Sequence, residues 1–212
     1  MNTSYDLYLV TQQDLSEGRS TPEIVEAAIA GGVDAIQLRE KHASARDRYE
    51  LGLGLRKRTR EAGVSLLVND RVDIAAAIDA DGVHLGDEDL PIAAAREILG
   101  QGAVIGRSVS TVEGAHTAES NGADYLGAGA VFATASKNVA DEQNAIGVES
   151  VEKIAESVGI PIVGIGGIDR ENAASVTGAG ASGVAVISAI TTVKDPEAAT
   201  RELLEAVREG RR

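Results

Sequence analysis

Eight short, almost uninterrupted apolar runs recur along these 212 residues, at 6–10, 35–39, 65–69, 82–85, 103–106, 124–129, 161–166 and 183–188. A strand with one wet face alternates apolar and polar residues, whereas a strand covered on both faces does not, and parallel sheets are covered on both faces. Successive runs start mostly about 20 to 30 residues apart, room for one helix and two short loops. Helix signals fill the intervals. Thr21 and Pro22 offer an N-cap followed by proline, Ser110 and Glu113 have capping-box spacing, and Asp195 and Pro196 repeat the cap-plus-proline pair. Glycines at Gly31, Gly32, Gly63, Gly100, Gly122, Gly159 and Gly178 are placed to end the helices.

Alternating βα units also build doubly wound open sheets. Eight units in a chain of this length, with polar residues after nearly every strand, favour a closed (β/α)8 TIM barrel, whose working groups gather at the C-terminal ends of its strands. No linker or low-complexity stretch interrupts the series, so a single barrel domain over 1–212 is expected.

Lys+Arg number 20 against 33 Asp+Glu, a net charge of −13, and only five of the cations are lysines. That balance repels nucleic acid and anionic membranes, so the expected partners are small molecules. A lysine-poor, acidic surface also suits concentrated salt, where self-repulsion is screened, and a halophilic origin is expected. Cysteine is absent, which removes disulfide and thiolate chemistry. No apolar stretch of about 18 residues occurs and the opening residues lack a signal-peptide pattern, so a cytoplasmic location is the default. Assembly, including a homodimer, is left open.

Gln37, Arg39 and Lys41 end the second run, and strand alternation puts all three on one side, where an amide and two cations can converge on a polyanion. Asn69 and Asp70 end the third run; Asp89 follows the fourth. Two carboxylates on adjacent strand ends can hold one Mg²⁺, which takes its remaining oxygens from water and substrate phosphates. The alternative is that Asp70 caps the helix starting at Val72 while Asp89 serves a turn before Pro91. Glycines 164, 166 and 167, with Ile187 and Ser188, lie where this fold commonly grips phosphate. The stretch 178–183 spells G-x-G-x-x-G but follows a helix and precedes a strand, the reverse of a dinucleotide fingerprint. His84 reads as a hydrogen-bonded barrel residue, His42 and His116 as surface groups, and Ser108 as a donor without the partners of a nucleophile. Arg56, Lys57, Arg58 and Arg60 read as a solvated helix face. Residues 128–147 lack helical periodicity and suggest a lid carrying Lys137.

Together these motifs resemble the thiamine-phosphate synthase family: QLREK (37–41), ND (69–70), GVHLGDED (82–89), GRS (106–108), T-x-S-K (134–137), IPIVGIGGI (160–168) and GVAVIS (183–188). The resemblance implies joining of 4-amino-2-methyl-5-hydroxymethylpyrimidine diphosphate to a thiazole phosphate, with release of pyrophosphate. It implies that Gln37, Arg39, Lys41, Asn69, Ser108 and Lys137 contact the pyrimidine diphosphate, with Arg39, Lys41 and Lys137 aiding departure of pyrophosphate. Asp70 and Asp89 would bind one Mg²⁺, and Thr134, Ser136, Gly167, Ile187 and Ser188 would line the thiazole phosphate pocket. The chain departs from the family pattern at Asp87, usually glutamine, at Ala130, usually proline, and at Ser136, usually threonine. A thiazole tautomerase on the same barrel, or a non-catalytic phosphate-ligand sensor, are the rival readings; neither would use the paired aspartates.

Overall fold

Each apolar run becomes a parallel strand in the computed structural model, which describes residues 5–134 and 145–211. The strands are β1 (Leu7–Val10), β2 (Ala35–Leu38), β3 (Ser65–Asn69), β4 (Gly82–Leu85), β5 (Val104–Val109), β6 (Tyr125–Gly129), β7 (Ile162–Ile165) and β8 (Gly183–Val186). They pair in chain order and β8 closes on β1, with Tyr8 beside both Ala35 and Ala185. The expected barrel is present. β5 runs three residues past its expected end, which takes Arg107 and Ser108 into the wall.

Period-two alternation divides every strand between two cores. Leu7, Leu9, Ile36, Leu38, Leu66 and Val68 face outward and pack with helix residues such as Val25, Leu55 and Val207. Tyr8, Val10, Ala35, Leu67, Tyr125, Val163 and Ala185 form a separate cluster inside the ring. The outer layer comprises α1 (Thr21–Gly31), α2 (Ala45–Ala62), α3 (Val72–Ala77), α4 (Ile92–Leu99), α5 (Val112–Ser120), α6 (Val148–Ser157), α7 (Ala173–Gly178), α8 (Ser188–Thr191) and α9 (Pro196–Gly210).

Asp195 caps α9 as expected, but two other caps lie one residue away from the sequence reading. Ser20, not Thr21, caps α1, because Glu23 returns its carboxylate to the Ser20 N–H at 2.7 Å and completes a reciprocal box. Thr111, not Ser110, caps α5 by accepting from the Gly114 N–H. Gly32, Gly63 and Gly100 end their helices with positive φ, while near α7 that conformation falls to Gly180 instead of Gly178.

At the N-terminal ends of the strands, one device recurs before β2, β4 and β6. Asp34 accepts the Asp6 and Leu7 N–H groups at 3.1 and 3.0 Å, Asp81 accepts the Leu66 N–H at 2.8 Å, and Asp124 accepts the Ile105 N–H at 2.7 Å. Each carboxylate thereby ties its own strand to the preceding one where the ladder begins. Arg56 grips Asp81 through two bonds of 2.7 and 2.9 Å, and Arg96 meets Asp124 at 2.7 Å. Arg56 is therefore no part of a solvated face: its side chain is only 12% exposed.

Removing one partner from a largely buried pair leaves an uncompensated charge, so Asp81→Ala should lower unfolding free energy by about 3 kcal/mol in urea titrations. Glu26→Ala, which breaks the more exposed pair with Arg58, should cost less than about 1 kcal/mol. Equal losses would show that the Asp81 clamp does not hold the base of the ring.

Candidate active site at the mouth of the barrel

Gln37 points into the ring from β2, and the next inward position, Arg39, stands at its rim. The backbone there is fixed from the β1–α1 side. The Thr11 hydroxyl accepts from the Arg39 N–H at 3.1 Å, and the Gln12 side-chain carbonyl accepts from the Arg39 guanidinium at 2.8 Å. Glu40 faces the other way and is 6% exposed, accepting the Gln13 N–H at 2.8 Å and the Thr21 hydroxyl at 2.9 Å. Arg48 donates to the Glu40 and Lys41 carbonyls at 2.7 and 2.6 Å. Burial lowers the Arg39 pKa, while the charges of Asp70 and Glu40 act to raise it.

Across the rim, β3 ends in a tight turn in which the Asp70 N–H donates to the His84 carbonyl at 2.9 Å and Arg71 N–H to the Asn69 carbonyl at 2.7 Å. Asp70 takes the left-handed conformation, φ 64°, which few residues other than glycine, asparagine and aspartate adopt. It does not cap α3: the N-cap residue is Arg71, without a side-chain cap bond. The Asp70 carboxyl instead meets that of Asp89 and is pushed up to about 6, first by burial, then by the bond to Asp89 and its charge; Lys41 and Arg39 pull the other way. Asp89 also accepts the Gly86 N–H at 2.6 Å, so it shapes its turn and faces Asp70 at once.

Two facing carboxylates, one held above its ordinary range, fit a cation between them. Among the described residues no group of three or more acidic or histidine side chains is placed to hold a metal ion, so water and ligand oxygens would complete a shell begun by this pair. Asp87 lines the wider cavity beside Asp89 and pairs with Arg107 at 2.8 Å, and the same guanidinium bonds the Gly86 carbonyl.

A pocket at the centre of the mouth is lined by Gln37, Arg39, Asn69, Ser108, Thr134, Gly167, Ile187 and Ser188, eight of the residues singled out in the sequence. A second, wider cavity shares Ser108 and Ala130 with it and reaches Asp89. Lys41 lines neither, and its charge is felt at Asp70. Ser136 and Lys137 lie outside the described residues.

The β7 end is shaped by Gly166 and Gly167, with φ of 100° and 64°. A Cβ on Gly167 would stand 2.6 Å from the Ala133 carbonyl oxygen, so both backbone angle and space demand glycine. The segment after β6 is laced to this turn by Val131 N–H to Ile165 at 2.9 Å and Phe132 N–H to Gly166 at 3.0 Å. Its far side returns through Ile146 N–H to Ala130 at 2.8 Å.

Below the pocket, Gln37, His84 and Ser108 are joined by two tyrosines that the sequence analysis does not single out. Gln37 donates to the Tyr8 hydroxyl at 3.0 Å, Tyr8 and Tyr125 hydroxyls stand 3.1 Å apart, Tyr125 meets His84 Nδ1 at 2.8 Å, and His84 Nε2 meets Ser108 at 2.9 Å. Both tyrosines lie within apolar runs that the sequence analysis does not resolve residue by residue, and their inward parity with Gln37 is the available signal. Glu40 was missed because a carboxylate between two cations reads as solvated.

Comparison with known proteins places the chain. The family model described as thiamine monophosphate synthase matches residues 7–190. The thiamine-phosphate synthase of Haloquadratum walsbyi is 61% identical over 98% of this chain and 93% of its own length. That of Haloarcula marismortui is 62% identical over 98% and 99%. The solved thiamine phosphate pyrophosphorylase of Pyrococcus furiosus superposes with a TM-score of 0.90 at 46% identity, covering 99% of this chain and 98% of the other. With an eight-stranded ring, facing aspartates and a glycine-shaped β7 turn in the matched region, the chain belongs to the thiamine monophosphate synthase family.

Proposed function

We propose that this chain is a thiamine-phosphate synthase, a transferase that joins 4-amino-2-methyl-5-hydroxymethylpyrimidine diphosphate to a thiazole phosphate and releases pyrophosphate, acting as one barrel domain. The observation that carries the reading is the meeting of Arg39 and Lys41 charge with the Asp70–Asp89 pair beside a pocket lined by Gln37, Asn69 and Ser108. Two phosphorylated substrates account for two anion sites of different construction, one of side-chain cations and one of backbone at Gly167, Ile187 and Ser188.

Gln37 and Asn69 would orient the aminopyrimidine. Arg39, Lys41 and Lys137 would bind the diphosphate and stabilise the charge that grows on it as the carbon–oxygen bond breaks; interactions stronger at that stage than in the bound substrate raise the rate. Ser108 would donate to a leaving oxygen. Mg²⁺ held by Asp70 and Asp89 would supply further neutralisation of the pyrophosphate. Thr134, Ser136, Gly167, Ile187 and Ser188 would hold the thiazole phosphate so that the ring nitrogen attacks the exposed methylene carbon, a gain of proximity. The electron-rich ring carries the positive charge in between, so no protein nucleophile is needed.

We further infer a halophilic, cytoplasmic enzyme without nucleic-acid or membrane partners. Support comes from the net charge of −13, the halophilic archaeal relatives, and the lack, among the described residues, of any helix long and apolar enough to cross a membrane.

Three outcomes are expected. With both substrates and Mg²⁺, pyrophosphate release should be measurable, and Asp70→Asn and Lys137→Ala should each lose at least about tenfold in rate, a transition-state loss of about 1.4 kcal/mol or more. Asparagine tolerates the left-handed backbone at position 70, so that variant should stay folded, and wild-type turnover in it would remove Asp70 from the site.

A carboxyl held above its ordinary pKa favours the fold while protonated, and that contribution is lost as pH rises through about 6. Mg²⁺ should therefore raise the thermal midpoint more at pH 8 than at pH 5, and the gain should vanish in Asp70→Asn. An equal gain at both pH values would place the metal elsewhere. Finally, the midpoint should climb as KCl is raised into the molar range; indifference to salt would count against the halophilic reading.

A further inference from the structure

The hydrogen bonds beneath the pocket have one self-consistent direction. The Gln37 amide nitrogen can only donate, so the Tyr8 oxygen accepts and must place its own proton on its other partner, the Tyr125 oxygen. Tyr125 then gives its proton to His84 Nδ1, which leaves the imidazole proton on Nε2, facing Ser108. The reverse sense would leave the Tyr8 proton without an acceptor among these groups, a cost of order 1–3 kcal/mol for a buried donor. Burial pushes both phenols well above their ordinary pKa, so each holds one proton.

Resting on the reading above, we propose that Tyr8, Tyr125 and His84 are positioning residues: they form a one-way hydrogen-bond chain from Gln37 that makes Ser108 an acceptor inward and a donor to an anionic oxygen in the pocket. The two ends are thereby coupled. Gln37 commits one amide N–H to the chain, and Ser108 has its proton turned toward the cavity that both residues line.

The ring is built around this chain. A Cβ on Gly106 would stand 2.2 Å from the Tyr125 ring, and one on Gly127 would stand 2.8 Å from His84 Cε1. Gly106, in register with both His84 and Tyr125, and Gly127, in register with Ser108, thus give up side chains to house polar groups where branched apolar ones would fill the space. Buried polar networks are stabilising only when every member is satisfied, and that condition fixes the sense of each bond.

The chain carries three histidines, and His42 and His116 are exposed. In a His42→Gln/His116→Gln background with ¹⁵N-labelled histidine, long-range ¹H–¹⁵N spectra report His84 alone. The expected spectrum shows a neutral ring protonated at Nε2, retained in Ser108→Ala and replaced by a mixture of tautomers in Tyr125→Phe. An Nδ1-protonated ring in the parent, or a spectrum unmoved by Tyr125→Phe, overturns the proposal.

A kinetic cycle asks the same question of turnover. Tyr125→Phe should lower kcat by about three- to tenfold, and Ser108→Ala should then cost less than half the factor it costs in the parent, because both changes remove one donor. Independent, multiplicative losses overturn the proposal. Should Tyr125→Phe not fold, Tyr8→Phe takes its place, since it removes the incoming bond that fixes which way the Tyr125 hydroxyl donates. Absence of thiamine phosphate formation would defeat the assigned reaction and leave the tautomer measurement standing.

Discussion

Every property of this molecule's mouth depends on the pleat of a closed parallel ring. With side chains alternating between two cores, a residue's parity decides whether it meets a helix or the interior, and its distance along the strand decides whether it reaches the rim. Ile36 and Leu38 go outward while Gln37 goes in, and Arg39 follows at the edge. A slip of one residue in β2 would send the amide into the helix layer and bring Leu38 to the centre. The carboxylates of Asp34, Asp81 and Asp124 act against such slips, since each binds a specific N–H of the neighbouring strand at the opposite end of the ring. Register set at the base is expressed as geometry at the mouth.

The rim gathers charges that repel one another as well as charges that attract. Asp70 faces Asp89 in a left-handed turn, and Arg39 and Lys41 counter part of that repulsion without removing it. A polypeptide that holds like charges together at a ligand-binding edge stores a preference for a positive partner. Asp87, by contrast, pairs with Arg107 at the exposed edge of the wider cavity.

Local rules carried the sequence far. Eight units with polar residues at the strand ends were enough for the ring, alternation was enough to put Gln37 and Arg39 on one side, and Asn69, Ser108, Thr134 and Ser188 line one pocket with them. What stayed hidden depended on partners distant in sequence. Arg56 resembles its solvated helix neighbours until Asp81 comes beneath it, 25 residues later. Glu40 looks like a charge in a charged loop until the β1–α1 segment folds over it. Ser110 and Thr111 differ only in which hydroxyl the backbone angle brings to Gly114, and the left-handed turn at Asp70 has no spelling of its own. Tyr8 and Tyr125 satisfied a search for apolar strand residues, and their hydroxyls acquired meaning only when β1, β4, β5 and β6 met around them.

The ring of Tyr125 occupies the volume that any side chain at position 106 would need, and His84 does the same to position 127. Larger residues at 106 collide, while smaller ones at 125 leave a void and strand the imidazole. These sites are therefore free to vary only in concert, and a lineage exchanging this interior for an all-aliphatic one would have to cross an intermediate less stable than either endpoint. Inheritance of the barrel's centre is, on these grounds, a matter of whole sets and not of single letters.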